Sequence, residues 1–461
     1  MAPRTLLVAL LLAVGLSGAA EPSPSSSQGR ALRLSAVNPR YFADGAGRPV
    51  YLTGSHVWWN LVGERTWRVN CERGEVRPFD YGDYLDRLAS HNHNFIRLWT
   101  IELTTWRECG DSVVVAPHPW RRTGPGKAFD GRPKFDLRRF DPAYFRRLRA
   151  RVAAARARGL YVSVMLFEGW GSQFQPQPWR SRAHPFHPRN NVNGLSPDRN
   201  RDGQLLEIYT MRSRRARRFQ EAYVRRVIDT VRGFDNVLFE VANESGAFSI
   251  PWQYHMIRFV KRYEAAKRGL RHPVGMTFVH GDWSGAALFR SHADWIAPKD
   301  PRHLSDPPAA SARKVTFSDT DHHCGGCGDA TFPWRTFMRG YNPIFMDEFT
   351  AEPRAEQIRD AMGNTRRYAN RITLARMAPR GDLCSTGFCL VWPGREYLVY
   401  QSTGGAFTVN LSSARDRTFS LEWMHPVSGR ITSSDPVDGG AVRTLRPPFA
   451  GPAVAYLAVR R

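Results

Sequence analysis

The chain carries, at residues 217–245, the stretch "RRFQEAYVRRVIDTVRGFDNVLFEVANES", in which one hydrophobic pattern gives way to another. In its first half, Phe219, Tyr223 and Val227 recur at every fourth position, which predicts a helix with one apolar face. Its second half, 236–245, is an apolar run rich in β-branched and aromatic residues, which predicts a buried strand. A helix that leads directly into an apolar strand is typical of α/β proteins, in which helices cover a parallel sheet.

The same alternation recurs between about residue 50 and residue 378. In "DPAYFRRLRARVAAARARG", Asp141 is the expected N-cap of a helix, Pro142 occupies its first turn and Gly159 ends it. No glycine-rich phosphate loop opens any of the predicted helices, which argues against a doubly wound nucleotide-binding sheet. Eight strand–helix units predict a (β/α)₈ TIM barrel, with strands expected at 50–55, 94–100, 160–170, 236–245, 273–282, 293–298, 314–323 and 342–350.

The two ends of the chain have a different composition. A charged start, the apolar run 6–16 and small residues predict a signal peptide at 1–20, and the Pro/Ser-rich segment 21–30 predicts a disordered linker. After the barrel, expected at 31–385, short strands separated by Gly, Pro and Ser predict a small β-sandwich at 386–461. The expected location is secreted, in the extracellular space, the periplasm or on the cell surface.

The net charge and the cysteine content limit the classes of partner that the protein could have. The formal charge of +24 on 461 residues could favour acidic polysaccharides or cell-wall glycans, although a general arginine bias of the source proteome is the preferred explanation. Export argues against a nucleic-acid partner, and no apolar run is long enough to span a membrane. Six cysteines in an exported chain predict disulfides, by sequence proximity Cys71–Cys109, Cys324–Cys327 and Cys384–Cys389.

Barrel enzymes place their active sites at the C-terminal ends of the strands. Here those ends carry carboxylates and tryptophans, which suit a sugar, because aromatic rings stack on pyranoses and two carboxyl groups can cleave a glycosidic bond. Glu244, beside the amide of Asn243, is the expected general acid/base, with a pKa raised by its environment. Glu168 could contact sugar or pair with Arg97. The candidate substrate-binding residues are Asn243, Arg97, His56, Trp99, Glu168, Trp170, His322, Asp347 and Glu348.

"NVLFEVANES" resembles the acid/base strand of glycoside hydrolase clan A, the cellulase-like retaining TIM-barrel enzymes, and Arg97 in "NFIRLW" resembles the arginine of their second strand. From about Leu34 to the C-terminus, the chain is similar to exported bacterial barrels assigned as glycoside hydrolases, in which "STGFCLVWPGREYLVY" begins a module labelled collagen-binding. The resemblance implies a retaining glycosidase without a cofactor or metal, acting on a carbohydrate. It also implies a nucleophile at the end of the seventh strand.

The second carboxylate is expected in "FSDTDHHCGGCG", residues 317–328. Counting strands makes this the seventh, so Asp319 takes the first place and Asp321 the second. Glu348 in "NPIFMDEF" is third, because that run is the eighth strand. An aspartate where the family has glutamate leaves the stereochemistry open, since carboxyl separations of about 5–5.5 Å indicate retention and about 6.5–9.5 Å inversion.

Two other functions compete with the glycosidase. A barrel that has lost its nucleophile could bind glycan or matrix without catalysis, together with its β-sandwich. A zinc-dependent hydrolase could use "HHCGGC", but the chain offers a single cysteine pair at this spacing, and the adjacent His322 and His323 crowd it. A disulfide-closed loop is the favoured interpretation of Cys324–Cys327.

Overall fold

Eight parallel strands form one sheet at the centre of the structure, a computed structural model that describes residues 30–63, 79–106, 113–174, 177–347, 349 and 351–460. From the second strand to the eighth, each strand pairs with the next, and the eighth also pairs with the first. The Asn94 N–H donates to the Thr53 carbonyl (3.0 Å) and joins the first strand to the second. Each strand overlaps its predicted run: β1 (Gly54–His56), β2 (Phe95–Leu98), β3 (Tyr161–Glu168), β4 (Val237–Asn243), β5 (Val274–Thr277), β6 (Trp295–Ala297), β7 (Val315–Asp319) and β8 (Asn342–Met346).

Helices lie between the strands and cover the outside of the barrel. The Asp141 side chain accepts a hydrogen bond from the Ala143 N–H (2.9 Å) as the predicted N-cap. Tyr223 and Val227 of the predicted apolar face are buried against the sheet. The helices are α1 (Tyr81–Ser90), α2 (Pro142–Ala157), α3 (Pro178–Ala183), α4 (Arg214–Val231), α5 (Ile250–Ala265), α6 (Ala286–Arg290), α7 (Thr320–His323), α8 (Thr331–Met338) and α9 (Pro353–Arg371).

Aromatic side chains fill the inside of the barrel. The rings of Phe95 on β2 and Phe317 on β7 stack 4.8 Å apart although their strands are not neighbours, so they meet across the interior. Trp295 packs edge-on against Phe317 (5.1 Å). Gly275 makes room for it, because a Cβ at that position would lie 1.9 Å from the indole ring. The barrel is therefore closed by a packed apolar layer, and the polar residues above it face the mouth.

Smaller elements decorate the barrel. A three-stranded sheet (Arg33–Leu34, Phe42–Ala43, Pro49–Val50) contributes Phe42 to the apolar layer inside the barrel. Two further strand pairs follow β2, namely Thr105–Trp106 with Val113–Val114 and Trp120–Lys127 with Pro133–Phe140. Single helical turns occur at Trp170–Phe174, Leu206–Tyr209, Ala247–Ser249, Pro301–Leu304 and Gly381–Leu383.

The C-terminal part is a β domain that packs on the barrel. A six-stranded antiparallel sheet runs in the order β9-β10-β11-β16-β13-β14, and β12 pairs with β15: β9 (Ala378–Pro379), β10 (Cys389–Trp392), β11 (Glu396–Gln401), β12 (Phe407–Asn410), β13 (Thr418–Met424), β14 (Ile431–Asp438), β15 (Val442–Leu445) and β16 (Ala453–Val459). Leu398 and Tyr400 pack against Trp334 and Tyr368 of the barrel helices. The first of these strands precedes the predicted boundary at 385/386, which stays a prediction, as does the sandwich arrangement.

The cysteine predictions have different outcomes. Cys324 and Cys327 form the expected disulfide. Cys384 and Cys389 are not bonded to each other but are buried free thiols, so that prediction is wrong for this structure. The Cys389 thiol donates instead to the Arg380 carbonyl (2.9 Å). Cys71, Cys109, the predicted signal peptide and nearly all of the predicted linker lie outside the described residues. Among the helices that the structure does describe, none has the length and apolar character needed to cross a membrane.

Candidate active site

Arg97 organises the polar residues at the mouth of the barrel. Its side chain on β2 is 1% exposed and donates to both oxygens of Glu240 and to Asn243 Oδ1, on β4. Its Nη1 also donates to Asp319 Oδ2 and Asp321 Oδ2, both at 2.9 Å. One guanidinium therefore binds three carboxylates and fixes β2, β4 and the end of β7 relative to one another. Glu240 was not among the predicted site residues, since its only signal was a charge inside the apolar run "NVLFEVANES".

Asp319 is buried beneath the mouth. It is fully buried and accepts from His56 Nε2 (3.1 Å) as well as from Arg97. The Trp99 indole donates to His56 Nδ1 (3.0 Å), which leaves the imidazole proton on Nε2, facing the carboxylate. Burial opposes ionisation of Asp319, but His56 and Arg97 outweigh it and hold its pKa well below the usual range. Asp319 is thus an ionised anchor with its oxygens occupied.

Asp321 is the carboxylate that faces Glu244. It is the second residue of α7, and its N–H donates to Asp319 Oδ1 (3.0 Å). Carboxylate oxygens of Asp321 and Glu244 approach within 4.8 Å of each other. Burial and the negative charge of Glu244 raise the pKa of Asp321 to about 6. Asp321 is therefore the predicted aspartate that approaches Glu244, because α7 turns the chain after the strand and carries it toward β4. Asp319, which the strand count favours, binds His56 and Arg97 instead, and the catalytic role of either residue stays a prediction.

Glu244 follows β4 in a left-handed conformation, with φ of +45°, that is costly for any residue except glycine. Its Oε1 contacts His322 Nδ1 at 3.2 Å, and its Oε2 lies 3.7 Å from His280 Nε2. Burial opposes ionisation, but the two histidines outweigh it and lower the pKa of Glu244. The predicted raised pKa of Glu244 is therefore wrong, because nothing in the sequence indicates that two imidazoles flank this carboxylate.

His322 is the cation of this group. Its side chain is fully buried, and burial opposes its protonation. The hydrogen bond to Glu244 and the charges of Asp319 and Asp321 outweigh that cost and raise the pKa of His322. Glu244 and His322 therefore form an ion pair rather than a neutral contact.

Tryptophans form one wall of the mouth. Trp58 contacts Trp99 and Trp170 with ring centroids 5.5 and 5.8 Å apart. Trp99 is buried and contacts two partners of the carboxylates, His56 through a hydrogen bond and Arg97 through its ring face (4.7 Å). Trp58 and Trp170 are partly exposed and can offer apolar ring surface to a ligand.

Glu168 lies at the end of β3 but does not pair with Arg97. Its carboxyl group accepts from the Gly171 N–H (2.8 Å), and its own N–H donates to Glu102 Oε2 (3.1 Å). Burial raises the pKa of both carboxyl groups to about 8. Two protonated acids therefore lie side by side next to the mouth. Glu102 was missed because nothing in "WTIEL" marks it as buried.

The end of β8 contributes no open carboxylate among the described residues. Asp347 is 1% exposed and binds Arg359 of α9 through two contacts of 2.7 Å. Its carboxylate also accepts from the Phe349 N–H (2.8 Å). This occupation argues against the predicted role in substrate binding. Glu348 lies outside the described residues.

Glu244, Asp321 and His322 could together hold a metal ion. One donor atom from each lies within 4.8 Å of the others, and two carboxylates with an imidazole suit zinc and similar divalent ions. Cys324 and Cys327 cannot contribute, because their sulfurs are joined in the disulfide. The zinc site predicted as an alternative on "HHCGGC" is thus limited to its first histidine.

Solved structures share this fold. One glycoside hydrolase covers 93% of this chain and 97% of its own, with a TM-score of 0.58 and 11% identity. A glycoside hydrolase family 5 protein of Bacteroides vulgatus ATCC 8482 covers 94% and 93%, with a TM-score of 0.58 and 9% identity. A candidate glycoside hydrolase of the same organism covers 94% and 83%, with a TM-score of 0.61 and 13% identity. No protein-family model and no curated protein matches the chain. The chain therefore has the fold of these glycoside hydrolases.

Proposed function

We propose that this protein is an exported glycoside hydrolase that cleaves O-glycosidic bonds in an oligo- or polysaccharide, with Glu244 and Asp321 as its catalytic pair. The observation that carries the proposal is the approach of these two carboxylates, within 4.8 Å, at the mouth of the barrel. Glycosidases cleave their substrates between two such groups, one protonated and one ionised. The fold shared with glycoside hydrolases supports the same reaction class.

The electrostatics of the pair support a division of roles. In the free site the pKa of Asp321 is raised and that of Glu244 is lowered, so the proton of the pair resides on Asp321. This favours Asp321 as the acid and Glu244 as the nucleophile, whereas the resemblance of "NVLFEVANES" implies the opposite. A separation within 4.8 Å is closer to the roughly 5–5.5 Å between the carboxyl groups of retaining glycosidases than to the roughly 6.5–9.5 Å of inverting ones, which supports retention of configuration.

The neighbouring residues would position the pair and the substrate. Arg97 would keep Asp321 in place, and Asp319 would do so through its contact with the Asp321 N–H. Asn243 would orient a sugar hydroxyl, although its oxygen is bound to Arg97 in the free site. Trp170 would stack on a sugar ring. These are positioning roles and not part of bond cleavage.

We also propose roles for the two ends of the chain. Export rests on the predicted signal peptide at 1–20. The β domain is proposed as a β-sandwich accessory module, because β12 and β15 cover one face of the six-stranded sheet through Val409 and Leu445. No residue of this domain points to collagen as its ligand.

A screen for released reducing ends on a panel of plant, algal and bacterial glycans tests the activity. Glu244→Gln and Asp321→Asn should each reduce turnover at least about 100-fold, because each removes one catalytic carboxyl group. Asp306→Asn, which changes an exposed carboxylate paired with Arg339, is the matched control and should keep full activity. Binding of a glycan without turnover would instead support the non-catalytic rival.

Covalent trapping shows which carboxyl group is the nucleophile and which is the acid. A 2-deoxy-2-fluoro glycoside of the active sugar should label the nucleophile of a retaining enzyme, and peptide mass spectrometry then locates the label. A label on Glu244 agrees with the charges of the free site, and a label on Asp321 agrees with the resemblance. Inverted product without any label would contradict retention.

A further inference from the structure

A cationic aromatic surface lies beside the proposed catalytic pair. We call it the Trp283 platform and define it by Phe278, Trp283 and Lys299, which follow β5 and β6. Trp283 is 66% exposed, while the Phe278 ring packs behind it at 5.4 Å. The Lys299 ammonium lies 5.5 Å from the centre of the Trp283 ring and 5.3 Å from that of Phe278. The platform therefore combines an open indole with a positive charge.

The platform is one side chain away from Glu244. Phe278 packs against His280 with ring centroids 4.6 Å apart, and His280 Nε2 lies 3.7 Å from Glu244 Oε2. Phe278 also approaches His322, the other imidazole on Glu244, at 6.4 Å. A sugar stacked on Trp283 would thus lie next to the residue at the bond to be cleaved.

The charge of Lys299 is not neutralised by a carboxylate among the residues that the structure describes, since Lys299 forms no ion pair there. The acidic residues that adjoin Lys299 and Trp283 in sequence have other partners. Asp300 binds the Arg302 guanidinium (2.6 Å). Asp282 accepts from the Ser284 hydroxyl (2.7 Å) and from a backbone N–H. An anionic ligand could therefore pair with Lys299 without displacing a carboxylate of the described residues.

We propose that the Trp283 platform is a sugar-binding subsite selective for a sugar that carries a carboxylate or a sulfate. The sugar ring stacks on Trp283, and its anionic group pairs with Lys299. The inference rests on the proposed function and narrows its substrate class to acidic glycans. A partly exposed ion pair contributes up to about 1 kcal/mol, so Lys299 should strengthen binding of the anionic sugar by about fivefold.

Calorimetric titration of the Asp321→Asn protein, which should not consume its ligand, tests the subsite. The probes are α-1,4-trigalacturonate, α-1,4-galactotriose as its neutral match and a sulfated carrageenan oligosaccharide of similar length. We expect one or both anionic probes to bind about fivefold more tightly than galactotriose. A preference for trigalacturonate alone identifies the carboxylate, and one for the carrageenan oligosaccharide alone identifies the sulfate.

Variants assign the preference to the platform. In the Asp321→Asn background, Lys299→Met should remove the preference and Trp283→Ala should weaken binding of every probe. Lys267→Met is the matched control, because Lys267 also lies over an aromatic ring, Tyr263 (4.8 Å), but follows α5 at the other end of the barrel. Equal binding of all probes, binding of none, or a preference that survives Lys299→Met overturns the inference. Anionic preference without turnover by the unmodified protein would refute the proposed function alone.

Discussion

Glu102 and Glu168, the two buried acids beside the mouth, should make the protein less stable as the pH rises. Burial raises the pKa of each to about 8, whereas a glutamate in the unfolded chain ionises near 4.5. Between these values the folded state keeps a proton that the unfolded state has lost. The free energy of unfolding therefore falls by about 1.4 kcal/mol per pH unit for each acid, and the fall stops above about pH 8.

Glu168→Gln isolates one of these protons. The amide keeps the size of the side chain and an oxygen for the Gly171 N–H, but it cannot ionise. Over the roughly 3.5 units between the two pKa values, the unmodified protein loses about 4–5 kcal/mol that the variant retains. For a chain of this length, with an unfolding entropy of about 1 kcal/mol/K, the difference corresponds to about 5 °C in Tm at pH 8.

Thermal and urea unfolding of both proteins at pH 5, 6, 7 and 8 gives the measurement. The gain in unfolding free energy of Glu168→Gln over the unmodified protein should be small at pH 5 and grow toward pH 8. Asp435→Asn, which changes an exposed carboxylate on β14, is the control and should shift stability equally at every pH. A Glu168→Gln effect that does not depend on pH would refute the reasoning, because it would mean that Glu168 is already ionised in the folded protein.

Three further predictions concern the site and the barrel. The kcat/KM should fall about tenfold per pH unit above about pH 6, because Asp321 then loses the only proton of the catalytic pair; a plateau to pH 8 would contradict this. Zn²⁺ should inhibit turnover, because Glu244, Asp321 and deprotonated His322 can bind it together, and the inhibition should strengthen as the pH rises. A chelator should restore activity. Insensitivity to Zn²⁺ would show that the three residues do not bind it together. Gly275→Ala should destabilise the barrel by about 1–3 kcal/mol in urea unfolding, because its Cβ would lie 1.9 Å from the Trp295 ring. Gly233→Ala is the control and should match the unmodified protein, because nothing lies within 4 Å of the added atom.

The sequence predicted the barrel well because each strand is an apolar run between amphipathic helices, a pattern that depends only on local residues. Counting strands also led to the two aspartates at and just after the end of β7, and it favoured Asp319. It could not show that Asp321 is the one that approaches Glu244, since this depends on the direction of the one-turn helix after the strand. Periodicity does not report which way a strand end turns.

Long-range partners account for the other differences. Asp347 was predicted as a site residue because it is a carboxylate at the end of a predicted strand. In the structure, Arg359 of α9, twelve residues later in the chain, binds that carboxylate. Glu102 and Glu240 were missed because a single charge near an apolar run has no distinctive signal. The prediction of a raised pKa for Glu244 was wrong because His280 and His322, which lower it, follow other strands of the barrel.

The sharing of Arg97 among Glu240, Asp319 and Asp321 has a consequence for the electric field of the molecule. Arg97 and the His322 cation together cannot balance these three groups and Glu244, so the mouth is a well of negative potential inside a chain whose net charge is +24. The positive exterior would draw an acidic polymer toward the protein from a distance, with a strength that falls as salt is added. The well would then act on the opposite charge, because the sugar ring becomes cationic as a glycosidic bond breaks. Capture and bond cleavage would thus depend on fields of opposite sign, and added salt should weaken capture more than it slows the buried chemical step.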